Sequence, residues 1–246
     1  MPAVTSQAVN AAARFASRVL MKGARTLRGE NLDDHRVNGE RRLLRSLDLP
    51  ADAVIFDVGA NVGAWSQGAL ELFPGARIHA FEPLPGAFAQ LSRVPGITAH
   101  QVALGAEPGT ATLHFDPDAT VLSSLHDRAG MGLAQTVDVE VTPLDAFADA
   151  HGIGRIDFLK IDVEGHEKDV IAGASQRLHD GRIGVVQFEY GGTYLDAGVR
   201  LREVVGLFPP TYAIARIVPW GLMPITEQDL REESFALSNY VAVSRR

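Results

Sequence analysis

The 246-residue sequence contains no cysteine. That absence removes disulfide bridges, thiolate metal sites and cysteine nucleophiles together, leaving oxygen and imidazole as the only ligands for an ion. It also fits a reducing compartment, so a cytoplasmic location is expected. No apolar run reaches the roughly 18 residues of a membrane span, and the N-terminus lacks the continuous apolar core of a secretory signal. Positive charge is scarce: 23 Lys and Arg stand against 30 Asp and Glu, a formal charge of -7. Nucleic-acid binding rests on neutralising phosphates, so that balance argues against it and favours small molecules or proteins as partners. Internal repeats and low-complexity tracts are absent as well. What is present, 46% hydrophobic and 22% charged residues, is the composition of a globular chain able to bury a sizeable core.

The charge is unevenly spread. Arg14, Arg18, Lys22, Arg25 and Arg28 face only Glu30 in the first 30 residues. Val4, Ala8, Ala12, Phe15 and Val19 recur there at helical spacing, which predicts a basic amphipathic arm over residues 1–37. Three partners suit such an arm: the flank of its own domain, a second subunit in a homo-oligomer, or a membrane surface. From residue 38 to 246 the pattern is that of one domain. Short β-rich apolar runs at 53–58, 77–81, 97–102, 156–161, 183–188, 212–218 and 239–244 alternate with helical stretches at 64–73, 85–93, 144–151, 167–179 and 198–208. That alternation predicts a doubly wound α/β domain with a mostly parallel sheet. Two segments, 110–115 and 136–141, instead show a period of two, and are expected to form a β-hairpin inserted between the third and fourth core strands. The Asp, Ser and Gly-rich stretch 116–135 between them reads as a loop, a candidate lid or substrate contact.

The strongest local signal is Asp57-Val-Gly59-Ala-Asn61-Val-Gly63, which follows an apolar strand and opens a helix. Open α/β sheets bind ligands beyond the carboxyl ends of their strands, where glycines allow a tight turn and close approach of the backbone. Asn61 stands where a dinucleotide motif has its middle glycine, and Asn tolerates the left-handed conformation better than other side chains. Glu82, at the end of the next strand, can accept both hydroxyls of an adenosine ribose. Pyrophosphate disfavours a carboxylate in contact, whereas Asp57 suits a cationic ligand end such as a sulfonium or ammonium group. S-adenosyl-L-methionine has both features. The alternative is that Gly59 and Gly63 serve only helix-to-strand packing. Trp65 either borders the methionine end or is a buried packing residue.

A second constellation, Lys160-Ile-Asp162-Val-Glu164-Gly-His166-Glu167, follows the fourth core strand. If Asp162 to His166 stays extended, the period of two places Asp162, Glu164 and His166 on one face. The competing reading is that the two carboxylates satisfy amides of the next helix and that Gly165 turns the chain. Lys160, near a buried strand end, requires a partner: an ion pair or a catalytic amine.

Four segments together, Phe56-Asp57-Val-Gly59-Ala-Asn61-Val-Gly63, Phe81-Glu82-Pro83, Phe158-Leu-Lys160-Ile-Asp162-Val-Glu164-Gly165 and Val186-Gln187-Phe188-Glu189-Tyr190, resemble the FkbM-type methyltransferases over roughly residues 38 to 244. The resemblance implies a Rossmann-like, seven-stranded class I methyltransferase fold with its last strand antiparallel. It also implies S-adenosyl-L-methionine as cofactor, contacted by Asp57, Gly59, Asn61 and Glu82, with Gly63 completing the turn and Ala103-Leu104 near the adenine. Ser123-Ser124 in the inserted loop is similar too. Val102 and Pro143 depart from the pattern of many relatives. The implied reaction is O-methylation of a hydroxyl on a sugar, glycosylated natural product or polysaccharide precursor. Methyl transfer to an alcohol gains from a base or a metal. Asp162, Glu164, His166 and Glu189 are the available groups, and Asp162 with Glu189 is a candidate pair for Mg2+. A nicotinamide-dependent oxidoreductase and a non-catalytic binding subunit are the rival readings.

Overall fold

The structure is a computed structural model that describes residues 37–116, 119–124 and 135–245, together with Ser17, Leu20 and Gly23. The apolar stripe expected in the arm, and most of the loop expected at 116–135, lie outside the described residues.

An eight-stranded sheet forms the centre, built from β1 (Val54–Val58), β2 (Arg77–Phe81), β3 (Ile97–His100), β8 (Ile156–Ile161), β9 (Ile183–Tyr190), β10 (Tyr212–Val218), β11 (Gly221–Pro224) and β12 (Ser238–Ser244). Its order is β11-β10-β12-β9-β8-β1-β2-β3. All seven expected core strands are present, and the last one, β12, lies antiparallel between β9 and β10 as expected. The eighth, β11, folds back on β10 as a short edge hairpin that the sequence reading had not included. Strands β1 and β8 are buried at every position, which explains why they are apolar apart from the paired charges Asp57, Asp157 and Lys160: helices cover both faces. Val54, Phe56 and Val58 enter one core cluster while Ile55 enters the other, so the strand alternates between two helical layers. One layer is α4 (Leu144–Ala150), α5 (Glu167–Ala172), α6 (Ser175–His179) and α8 (Leu201–Val205); the other is α1 (Glu40–Ser46) and α2 (Ala64–Leu72), and α3 (Pro85–Leu91) packs beside β3.

Three expectations need correction. The insertion is larger than a hairpin: β5 (Gly109–Asp116) and β7 (Gln135–Pro143) pair antiparallel as predicted, but β6 (Ala119–Ser124) joins β5 from within the expected loop. On the other side, β4 (Ala103–Gly105) pairs parallel with β7, giving a separate four-stranded sheet and ending the third core strand at His100. The helix expected over 167–179 is two helices. A Cβ on Gly173 would lie 2.0 Å from the Gly105 carbonyl oxygen, so only glycine permits this approach of the chain to β4. The Asp145 carboxylate then takes the amides of Gln176 and Arg177 at 2.8 and 3.2 Å and starts α6 afresh. Lastly, Gly198 does not begin a helix; at φ 65 it ends α7 (Thr193–Ala197) in the left-handed conformation. No described helix is long and apolar enough to cross a membrane.

Candidate active site

The chain winds outward from β1 through β2 to β3, and the other way from β8 to β9, so the winding direction reverses between β1 and β8. A crevice opens at such a reversal, beyond the carboxyl ends of the strands. Here it is a cleft of about 390 Å³ lined by residues that include Gly59, Asn61, Glu82, Ala103, Asp162, Glu164, His166 and Glu189. Because these follow β2, β1, β8 and β9 in the order of the sheet, Glu82 and Glu189 stand on opposite sides of the cleft.

The glycine turn is built as its residue types require. Gly59 and Asn61 have φ of 80 and 49, and the amides of Gly59 and Ala60 both donate to the Phe81 carbonyl at 3.0 and 2.9 Å. A Cβ on Gly59 would sit 1.8 Å from the Asp162 carbonyl oxygen, so this glycine lets the β1 and β8 loops meet at the crevice floor. Gly63, at φ 85, faces elsewhere: its Cβ would meet Leu91 and Val94, and it serves helix packing outside the cleft. Glu82 is buried, with Oε2 accepting the Asn61 amide at 3.0 Å and Oε1 the Leu84 amide at 2.9 Å. Burial pushes its carboxyl up, and those two amides pull it back. Each carboxylate oxygen keeps a further lone pair for a hydroxyl. The Asn61 Oδ1 atom is buried and accepts no hydrogen bond from any described residue, an unsatisfied acceptor within a turn that lines the cleft.

Asp57 is not where a ligand would touch it. Its side chain is fully buried beneath the turn, where Ser66 Oγ donates to Oδ2 at 2.6 Å and Lys160 Nζ lies 3.7 Å from Oδ1. The expected contact with a cationic ligand end is therefore replaced by an internal cation, paired across the β1–β8 register. Burial raises the Asp57 carboxyl, while Lys160 and Ser66 lower it. Lys160 also donates to Asp162 Oδ2 at 2.9 Å. Its two carboxylate neighbours outweigh burial and hold it firmly protonated, the ion-pair reading rather than the catalytic amine. Trp65 is buried and stacks on Phe158 with centroids 5.7 Å apart, a packing role.

Asp162, Glu164 and His166 do share the cleft, but not because the strand continues. Glu164 and Gly165 take φ of 56 and 107, so the chain turns there and the period of two is lost. The turn itself brings one carboxylate oxygen from each of Asp162, Glu164 and Glu189 within 4.8 Å of one another. Glu189 lies on β9, paired with Asn239 of β12. Burial first, then the charges of Asp162, Glu164 and Glu167, push its carboxyl well above the ordinary range, and Lys160 offsets this in part. His166 occupies the N-cap position of α5 without a side-chain cap bond, its Nδ1 lying 3.3 Å from Asp169 Oδ2. Sequence reasoning missed the remaining wall, Gly191, Gly192, Thr193 and Leu237. The glycine pair directly after a predicted strand was the available signal for it. It also gave no role to Glu167 or to Tyr194.

A profile of the methyltransferase FkbM domain matches residues 57–209. The 31-O-demethyl-FK506 methyltransferase FkbM of Streptomyces tacrolimicus is 35% identical over 165 residues, which cover 53% of this chain and 63% of that protein. The hexuronic acid methyltransferase AglP of Haloferax volcanii is 26% identical over 161 residues, 63% of this chain and 64% of the relative. The chain thus spans less than two thirds of the length of either relative. The crystal structure of methyltransferase FkbM from Methylobacillus flagellatus KT superposes with a TM-score of 0.50 at 17% identity, covering 80% of this chain and 45% of that one, a likeness of fold alone. Since the profile match takes in the glycine turn, Glu82, the Asp162 loop and Glu189, the chain belongs to the methyltransferase FkbM domain family.

Proposed function

We propose that the chain is an S-adenosyl-L-methionine-dependent O-methyltransferase acting on a hydroxyl of a sugar, glycosylated natural product or polysaccharide precursor. The observation that carries the reading is one cleft holding a glycine turn and Glu82 on one side and a cluster of three carboxylates on the other. Family membership and relatives named as an O-demethyl-FK506 methyltransferase and a hexuronic acid methyltransferase support the same reaction and acceptor class. The cleft residues suit the cofactor: Glu82 accepts ribose hydroxyls, Asn61 Oδ1 takes a donor from the methionine end, and Gly59 and Ala103 let the backbone approach. Asp57 and Gly63 act indirectly, beneath and behind the turn. When bound, the cofactor supplies the activated methyl group.

The acceptor hydroxyl then lies against Asp162, Glu164, His166 and Glu189. Glu189 takes the hydroxyl proton as the oxygen attacks, since burial and the neighbouring carboxylates make it a stronger base than an ordinary carboxylate. Asp162, fixed by Lys160, orients the acceptor, and the walls exclude water. A second reading places Mg2+ between the carboxylates. The metal-free version is favoured because the Lys160 ammonium already stands as the cation on Asp162. Calorimetry with S-adenosyl-L-methionine, S-adenosylhomocysteine and NADH tests the cofactor, and methyl transfer to glycosylated acceptors with and without EDTA tests the chemistry. Binding of NADH alone refutes the reading. Activity lost in EDTA and restored by Mg2+ selects the metal version, and full activity in both Asp162→Asn and Glu189→Gln removes the carboxylate cluster from the mechanism.

A further inference from the structure

Glu167 is the first residue of α5, and its side chain is buried below the cleft rather than facing it. A carboxylate at a helix start ordinarily caps that helix. This one reaches back instead: Oε1 accepts the Val163 amide at 2.9 Å and Oε2 the Gly165 amide at 3.0 Å. The two amides flank Glu164, whose left-handed backbone is a conformation that glutamate rarely adopts. Both oxygens of one buried carboxylate are therefore committed to the turn that aims Glu164 into the cleft.

Burial, and then the charge of this carboxylate, push the pKa of the neighbouring Tyr194 hydroxyl up. Tyr194 is itself buried, and its hydroxyl donates to the main-chain carbonyl of Glu189 at 3.0 Å. The backbones touch as well, since a Cβ on Gly165 would come within 3.1 Å of the Thr193 carbonyl oxygen. Two walls carried by different elements, the β8–α5 turn held by Glu167 and the end of β9 held by Tyr194, thus abut where Gly165 meets Thr193.

We propose that Glu167 is a positioning residue for methyl transfer, which through Tyr194 holds the Glu164 turn and the Glu189 strand end in fixed relation, so that the acceptor hydroxyl meets both carboxylates in register. The inference rests on the proposed acceptor site, and Glu167 touches neither cofactor nor acceptor. Displacing a catalytic group by a fraction of an ångström leaves binding intact while slowing the chemical step, up to about a hundredfold for a shift near 1 Å.

The test uses the full chain with S-adenosylhomocysteine, amide exchange followed by NMR, and the side-chain carboxyl 13C resonance of Glu189. In Glu167→Gln the amide group retains one acceptor and cannot serve both N–H groups. Protection at Val163 and Gly165 is expected to fall about tenfold to a hundredfold, with the Glu189 resonance shifted and the amides of Ile55 and Leu159 unchanged. In Tyr194→Phe only the Glu189 resonance is expected to move. Loss of protection spread equally to Ile55 and Leu159 reveals general destabilisation and overturns the proposal, as does an unmoved Glu189 resonance in either variant. With 4-nitrophenyl hexosides as acceptors, Glu167→Gln is expected to lower kcat and leave KM for S-adenosyl-L-methionine unchanged; a raised KM with intact kcat overturns it. If the wild type binds no S-adenosylhomocysteine or methylates no hexoside, the cofactor or acceptor reading fails, while the exchange pattern still decides the brace.

Discussion

Replacing Lys160 by Met removes one charge from a group of three and leaves the other two in unequal surroundings. Asp57 is fully buried 3.7 Å from the ammonium, whereas the Asp162 side chain, at 2.9 Å, is 37% exposed. At an effective dielectric of about 20, the Asp57 interaction amounts to roughly 4 kcal/mol. The Asp162 contact adds little, because water screens it. Stranding a buried carboxylate without its partner costs about 3 to 5 kcal/mol in comparable cases, which agrees. Lys160→Met is therefore expected to lose about 4 kcal/mol at pH 8, measured by urea unfolding followed by circular dichroism. The loss must depend on pH in a definite sense. Without Lys160 the largest effect on Asp57 is burial, which raises its folded pKa above the ordinary 3.8. A raised carboxyl contributes stability that is present at low pH and lost as pH climbs through the folded value, so the deficit shrinks toward pH 4. The double variant Asp57→Asn, Lys160→Met removes the stranded charge and is expected to regain most of the loss. A Lys160→Met protein within about 1 kcal/mol of wild type at pH 8, or a double variant no better than the single one, refutes the account of Asp57 as a buried structural anion.

Three further outcomes follow from the same geometry. Glu82→Gln keeps one acceptor and loses the charge, so affinity for S-adenosylhomocysteine is expected to fall by about 1 to 3 kcal/mol by calorimetry; unchanged affinity places the ribose elsewhere. Burial raises Glu167 to about 7 from an ordinary 4.5, so its contribution is full below pH 4.5 and is lost as pH rises through 7. That amounts to about 3 kcal/mol, and the stability of wild type relative to Glu167→Gln should decline across this window; parallel pH curves contradict the buried placement. Deleting residues 1–28 is expected to leave S-adenosylhomocysteine affinity essentially unchanged, since among the described residues the cleft lining begins at Val58; loss of binding makes the basic arm part of the site.

The core of the sheet was legible because strands covered on both faces must be largely apolar, and β1 and β8 read that way but for Asp57, Asp157 and Lys160. The glycine turn was legible for a related reason: Gly59 and Asn61 mark positive φ, which few other residues accept. The inserted sheet was read only in part. Strands β5 and β7 carry the alternation of half-exposed strands, but β4 has three residues, too few to set a period. Helix breaks at Gly173 and Gly198 escaped notice because an isolated glycine in an apolar-periodic stretch does not reveal what lies against it. At Gly173 the object is the Gly105 carbonyl, nearly seventy positions earlier in the chain.

What the sequence determined by itself was the inventory and its order: a parallel sheet, a turn able to meet a nucleoside cofactor, and carboxylates beyond the fourth and fifth core strands. These follow from local rules, the period of side chains along a strand and the backbone range of glycine. Only the tertiary structure decided what each carboxylate does, because charge acts through distance and burial rather than sequence spacing. Asp57 and Glu82 both follow apolar strand residues, yet one is buried under Lys160 and the other faces the cleft. Asp162, Glu164 and Glu189 meet because the chain turns at Glu164 and because β9 lies beside β8. Glu167, which reads on paper as an ordinary acidic residue at a helix start, holds that turn in place because folding buries both of its oxygens against the backbone that precedes it.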